Sequence, residues 1–192
     1  MNDFTFYFDL GWQHIISWDA LDHILFITAL AAIYLIRNWK QVLVLVTAFT
    51  IGHSVTLALS VYDLVRVNSN WVEFLIPVTI IVTGIFNLLQ KNYNPVSLRL
   101  NYFLALFFGL IHGLGFANSI RFMLAKDQDI AIPLLSFNIG LEVGQIAVVS
   151  LILVAGYLLV NKAGLDRKWW IWSLSGIALI SAAYMAFMRW PL

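Results

Sequence analysis

The residues of this sequence that could do chemistry are four histidines and two acids in or beside strongly apolar stretches. Imidazole nitrogens and carboxylate oxygens suit borderline divalent metals such as nickel, cobalt and zinc. The sequence contains no cysteine, which excludes disulfides and thiolate ligands. The set therefore predicts a site for a divalent metal, held either as a substrate or as a bound ion. The predicted ligands are His14, Asp22, His23, His53, His112 and Glu142.

The stretches that must position these ligands are typical of a membrane protein, whose first partner is the lipid bilayer. Hydrophobic residues make up 61% of the 192-residue chain and charged residues 11%, whereas a soluble domain is about 25% charged. Since a spanning helix needs roughly 20 apolar residues, we predict an all-α bundle of about six transmembrane helices in one domain, 1–192. The predicted spans are 20–36, 42–62, 72–89, 101–120, 130–160 and 169–188.

The segments outside the spans predict how the bundle sits in the membrane. Residues 1–18 are aromatic and amphipathic, which predicts an interfacial N-terminal segment. Of the 11 Lys and Arg residues, most lie at the first, third and fifth joints between spans, so the positive-inside rule places both termini outside. No basic run indicates a nucleic-acid partner. A homo-oligomer is one alternative for the assembly.

Depth along the predicted spans groups the ligands on one side of the membrane. At about 1.5 Å of rise per residue, His53, His112 and Glu142 lie about 12 to 18 Å from the outer ends of their spans. Asp22 and His23 lie in the first turn of the first span. Ionisable side chains in hydrocarbon usually face the bundle interior and pair with one another. We therefore expect the ligands to meet in one polar pocket in the outer half of the bundle.

Four further polar residues are predicted to orient the ligands rather than to bind the metal. In the fifth span, Asn138, Glu142 and Gln145 recur at i, i+4 and i+7, which places them on one face of a helix. Pairs of glycines four residues apart predict that the fourth and fifth spans pack closely against other helices. The predicted orienting residues are Asn138, Gln145, Ser119 near His112, and Thr56 near His53.

Each predicted ligand also has a purely structural interpretation. An intramembrane histidine can form an interhelical hydrogen bond, and for His53 or His112 alone this explanation is as good as a metal. Asp22 can be a first-turn acid favoured by the helix dipole. Glu142 is the hardest to explain structurally, because a carboxylate at its depth needs a cation, a proton or a cluster of donors. The joint pattern favours a metal site.

Four blocks of the sequence resemble the HupE/UreJ family of bacterial membrane proteins. They are GWQHIISWDALDHILF (11–26), TAFTIGHSVTLAL (47–59), FFGLIHGLGFA (107–117) and SFNIGLEVGQ (136–145). The family signature is a histidine, a spacer and an Asp-His pair at the head of the first span. His14, Asp22 and His23 match it, with a spacer longer than in the best-known members. The resemblance implies a multi-pass permease that takes up nickel or cobalt across the bacterial inner membrane.

Three functions are compatible with these residues. The first is a permease that binds a divalent metal in the outer half of the membrane and passes it inward. The second is an intramembrane hydrolase, in which three histidines and an acid hold Zn²⁺ with an open position for water and the enzyme cleaves a lipid or a membrane peptide. The third is a structural membrane subunit. The resemblance favours the permease, while the lack of a polar inner half favours the hydrolase.

Overall fold

The computed structural model describes residues 3–90, 98–123 and 130–191 of the chain. These residues form α-helices and no strand, so the predicted all-α class is confirmed. The helices are α1 (Asp3–Ile16), α2 (Leu21–Ala31), α3 (Trp39–Val61), α4 (Ser69–Leu89), α5 (Leu98–Met123), α6 (Ala131–Gly156) and α7 (Arg167–Met188). A π-helical turn, Tyr157–Lys162, extends α6, and short 3₁₀ turns precede α2 and α3.

The described helices form a membrane bundle with four to five candidate spans. Among the described residues, 4 helices are long and apolar enough to cross a bilayer. A fifth span exists if α1 and α2, which meet at a bend of 66°, count as one broken helix. Within α5, the described residues Asn101–Ala117 form a shorter apolar helix. The other spans are Ile36–Val61, Ser69–Leu89, Ala131–Lys162 and Arg167–Met188.

The first predicted span, 20–36, is interrupted in the structure. The α2 helix ends at Ala31, and the next helical segment begins at Ile36. Residues 31–35 are all buried, so the turn between the two helices lies inside the protein. Apolar side chains are as favourable in a buried turn as in a buried helix, so an apolar run alone does not reveal the break.

The α1 helix is fixed by a close backbone contact with α6. A Cβ atom added to Gly11 would lie 2.0 Å from the Phe137 carbonyl oxygen, and one added to Gly140 would lie 2.1 Å from that of Phe8. Small residues permit so close an approach of two helix backbones. The segment 1–18 therefore consists mainly of a helix packed along α6. Its position at the membrane interface remains a prediction, as does the outside location of both termini.

The α3 and α5 helices pack against each other in the same way. Cβ atoms added to Gly109 and Gly113 would lie 2.1 Å from the Phe49 carbonyl oxygen and 2.3 Å from that of His53, respectively. The glycine pairs of the sequence therefore do mark close helix contacts. Because Gly113 directly follows His112, this contact holds His53 and His112 at the same level of the bundle.

Candidate metal-binding site

Two of the predicted ligands are brought together by the bend between α1 and α2. Ser17 has an extended backbone (φ −75°, ψ 155°), so α1 ends at Ile16 and the chain turns before α2 begins. His14 lies in the last turn of α1, and His23 lies near the start of α2. Their ring centroids are 4.7 Å apart. The spacer between them therefore contains the turn that brings one imidazole against the other.

A third imidazole, from α3, completes a close group. One ring nitrogen from each of His14, His23 and His53 lies within 4.8 Å of the others. Ligand nitrogens bind Zn²⁺ at about 2.0–2.1 Å, so two of them on one such ion lie no more than about 4.2 Å apart. Small side-chain rotations would bring these three nitrogens to one ion. The structure thus assembles three of the six predicted ligands from three helices.

Several ring nitrogens of this group have no protein partner. His14 Nε2, His23 Nε2 and both ring nitrogens of His53 are buried without a hydrogen-bond partner among the described residues. A buried polar atom left unsatisfied costs about 1–3 kcal/mol, and native proteins contain few of them. A metal ion would supply the missing partner for one nitrogen of each ring. The donors therefore fit a borderline divalent metal.

Asp22 lies behind His23 and orients it. Its Oδ1 accepts hydrogen bonds from His23 Nδ1 at 3.0 Å and from the His23 backbone N–H at 2.9 Å. With its proton on Nδ1, the His23 ring presents the lone pair of Nε2 to the group. Metal-bound histidines commonly have such a carboxylate behind them, which fixes the ring and raises its basicity. Asp22, predicted as a ligand, is thus placed to orient the His23 ring.

His112 adjoins the histidine group without joining it. Its ring centroid lies 5.0 Å from that of His23, and its Nε2 lies 3.2 Å from Thr79 Oγ1. Thr79 donates its own proton to the Ile76 carbonyl oxygen at 2.6 Å, so His112 Nε2 is the donor to Thr79. The His112 lone pair then lies on Nδ1, which is buried without a partner in the described part of the chain. His112 is therefore available as a further ligand next to His23.

The residues predicted to orient the ligands have different surroundings. Thr56 donates to backbone carbonyl oxygens of its own helix, and Gln145 accepts a hydrogen bond from an α3 side chain. Asn138 lies beside the His53 ring, with its Oδ1 buried and unpaired among the described residues. The side chain of Ser119 lies outside the described part of the structure. Of these residues, Asn138 is the one placed next to the close histidine group.

The structure places Glu142 outside the histidine group. Its Oε1 accepts a hydrogen bond from Thr47 Oγ1 at 2.7 Å, and both residues line a separate cleft of about 300 Å³ between α3 and α6. The polar stripe predicted on α6 is present, but its Glu142 is hydrogen-bonded to Thr47 of α3. Helical spacing shows which residues share a face, and it does not show how far along that face the site extends. Thr50, Ser54 and Asn138 also line this cleft.

An open cleft of about 370 Å³ leads to the histidines. His14, His23 and His112 line it, whereas His53 is fully buried and lies behind them. An ion in the cleft would thus meet His14 and His23, which line it, before it reaches His53. The three-helix group then offers it a fully buried third nitrogen.

Two charged residues of the cleft were missed by the sequence analysis. Glu73 of α4 and Arg189, which follows α7, both line the cleft. Arg189 Nη1 lies 3.2 Å from Asp22 Oδ2, although the two residues are 167 positions apart in the chain. Both lie near the ends of helices, where charged residues are common at a membrane surface. Their position in the sequence therefore carries no signal of a role in the site.

Aromatic rings enclose the histidines on two sides. The Phe116 ring lies 4.2 Å from that of His14. Phe26 and Phe49 lie 5.3 Å and 5.0 Å from the His112 ring and 4.9 Å from each other. A hydrophobic shell of this kind limits solvent access to a metal site and lowers the local dielectric constant.

Glu142→Gln is expected to leave metal binding intact. Because the Glu142 carboxylate is bonded to Thr47 in a separate cleft, the Kd for Ni²⁺ or Co²⁺ should change by less than about twofold, as for a substitution away from the site. Titration calorimetry of the purified protein measures this, with His23→Gln beside it to show the loss of a ligand. If Glu142→Gln raised the Kd by about tenfold or more, Glu142 would have to take part in metal binding.

Comparison with known families gives a match over almost the whole chain. Residues 1–189 match the family model described as HupE / UreJ protein. The matched region contains α1 to α7 and every predicted ligand. No curated protein and no solved structure matches the chain.

Proposed function

Because the chain belongs to the HupE/UreJ family, we propose that it binds a divalent transition metal, nickel or cobalt, and carries it across the bacterial inner membrane. The observation behind this proposal is the group of three imidazoles, His14, His23 and His53, with nitrogens within 4.8 Å of one another. Neutral nitrogen ligands suit Ni²⁺ and Co²⁺. In this proposal the metal is a transported substrate that binds the site transiently.

Entry is proposed through the cleft that reaches His14 and His23. The exposed carboxylate of Glu73 attracts a hydrated dication to the cleft. The ion then exchanges water for imidazole nitrogens, while Asp22 holds the His23 ring in position. Protons compete for the same ring nitrogens, so we expect binding to weaken as the pH falls and metal to be released in acid.

The inward path must pass the aromatic side chains next to His112. Phe26 lies 4.9 Å from Phe49 and 5.8 Å from Phe108. Phe108 also lines a small cavity of about 60 Å³ that is mainly apolar and includes Asn87. Passage of an ion therefore requires these rings to move, and we expect a conformational step to limit the rate of transport.

The aromatic layer also favours a second function, that of a zinc-dependent hydrolase. Three histidine ligands leave a fourth position for water on a catalytic Zn²⁺, and the cleft would admit a lipid or a membrane peptide. Such an enzyme also needs a general base close to the metal-bound water. Of the two acids among the predicted ligands, Asp22 is bonded to His23 and Arg189, and Glu142 lies in the other cleft. This arrangement favours the permease.

Uptake by proteoliposomes tests the proposal. Vesicles that contain the purified protein should accumulate radioactive nickel or cobalt faster than vesicles without protein, and a chelator outside should stop the uptake. A hydrolase would instead release product from a lipid or peptide substrate with no ion flux. A purely structural subunit would bind no metal, which calorimetry would show. Absence of both binding and flux in a folded protein would contradict the proposed function.

Asp22→Asn is expected to weaken metal binding by about 10- to 100-fold, the usual cost of losing an orienting group behind a metal ligand. The asparagine has one oxygen in place of two, carries no charge and holds the His23 ring less firmly. Calorimetry and uptake rates both report the change. Asp63→Asn is the matched control, because Asp63 is an exposed carboxylate bonded to Arg66. Equal affinities of the two variants would contradict the role of Asp22.

A further inference from the structure

Arg189 places a positive charge beside a site proposed for a positive ion. Its Nη1 lies 3.2 Å from Asp22 Oδ2, and the two side chains are only 30% and 11% exposed. We propose that Arg189 is a positioning residue that keeps Asp22 off the metal and whose charge limits how tightly the site holds its ion. This inference rests on the proposed function of metal transport and concerns the strength of binding and release.

The two oxygens of the Asp22 carboxylate have different partners. Oδ1 accepts both the ring and the backbone N–H of His23, while Oδ2 accepts the guanidinium of Arg189. Without the guanidinium, Oδ2 would be a free, charged oxygen on a residue that lines the same cleft as His23. Carboxylate oxygens are effective ligands of divalent ions. Arg189 therefore prevents Asp22 from becoming a direct ligand and keeps it in its orienting role.

The charges around the site also indicate that Arg189 limits the affinity for the metal. The histidines bind metal as neutral ligands, and the charges of Asp22 and Arg189 cancel. Arg189 thus neutralises the carboxylate that is bonded to His23 and leaves Glu73 as the remaining acid of the cleft, whereas removal of Arg189 would add the full charge of Asp22 to stabilise the ion. In a partly buried site such charges change affinity strongly, because water screens them poorly. Moderate affinity suits a carrier, since an ion that is held very tightly is not released.

Packing of the last helix sets the position of the guanidinium. The Arg189 backbone N–H bonds to the Met185 carbonyl oxygen at 2.9 Å, which continues the end of α7. The next residue, Trp190, packs edge-on against Phe74 of α4 at 5.1 Å. These contacts hold Arg189 beside the cleft, although Arg189 is far from α2 in the sequence. The contact couples α7 to the site.

Arg189→Gln tests this inference. The variant should bind Ni²⁺ or Co²⁺ at least about tenfold more tightly than the wild type, because a like charge has been removed next to the ion. In proteoliposomes its uptake should show a lower KM and a lower maximal rate, since release becomes slow. Arg189→Lys restores the charge and should return both values towards the wild type. Arg66→Gln, which removes an exposed arginine bonded to Asp63, is the matched control and should change neither.

Weaker or unchanged metal binding by a folded Arg189→Gln protein would overturn this role of Arg189. Thermal unfolding of the metal-free proteins shows whether the variant folds. If Arg189→Gln does not fold, the Kd of Arg189→Lys is measured instead. That Kd should stay within about threefold of the wild-type value if the positive charge at this position is what matters. A wild-type protein that neither binds nor moves metal would instead contradict the proposed function. The two failures are therefore distinguishable.

Discussion

His53→Gln should abolish metal uptake and weaken the binding of Ni²⁺ or Co²⁺ by more than about a hundredfold, which exceeds the usual effect of losing an orienting group. His53 is the fully buried member of the three-imidazole group, and neither of its ring nitrogens has a partner among the described residues. Its replacement removes one of three ligands from the innermost position. Titration calorimetry gives the affinity, and the absorption spectrum of bound Co²⁺ gives the change in ligands.

Thermal unfolding separates the loss of a ligand from the loss of the fold. A metal that binds the native state raises the Tm, so Ni²⁺ should stabilise the wild type and leave His53→Gln unchanged. His112→Gln is the informative comparison, because His112 Nε2 is bonded to Thr79 and the residue only adjoins the group. Its effect on affinity should be smaller than that of His53→Gln. If a folded His53→Gln protein kept the wild-type Kd, the three-histidine site would be wrong.

The class of the protein and part of the site are readable from the sequence for simple physical reasons. Charged residues are too few for a soluble domain, and histidines in hydrocarbon are costly unless they face the interior and have partners. These arguments predict that the histidines meet in one pocket, and in the structure one nitrogen each of His14, His23 and His53 lies within 4.8 Å of the others. The structure adds how the histidines are brought together, which is by a bend at Ser17 and by close helix contacts at the glycines.

The rest of the site depends on facts that no local pattern contains. Glu142 shares a face with Asn138, yet the rotation of α6 against α3 bonds it to Thr47, while Asn138 lies beside His53. Arg189 reaches Asp22 across almost the whole length of the chain. Such contacts follow from how helices rotate and cross, and helical periodicity determines neither.

The close contact between α1 and α6 makes a second large effect predictable. Gly140→Ala places a methyl carbon 2.1 Å from the Phe8 carbonyl oxygen, a backbone atom that cannot turn away. The clash can be relieved only if α1 moves outward, and His14 lies on the same helix. Overpacking of this kind typically costs about 1–3 kcal/mol. We therefore expect a lower Tm and, because His14 leaves the other imidazoles, a Kd for Ni²⁺ weakened by at least about tenfold.

Gly176→Ala makes the same chemical change at a harmless position, because nothing lies within 4 Å of a Cβ atom added there. It should keep the wild-type Kd and a Tm equal to or slightly above that of the wild type, since alanine favours a helix more than glycine does. A Gly140→Ala protein with normal metal affinity would show that α1 does not position His14. In that case the site would rest on α2 and α3 alone, and the bend between α1 and α2 would have no part in binding.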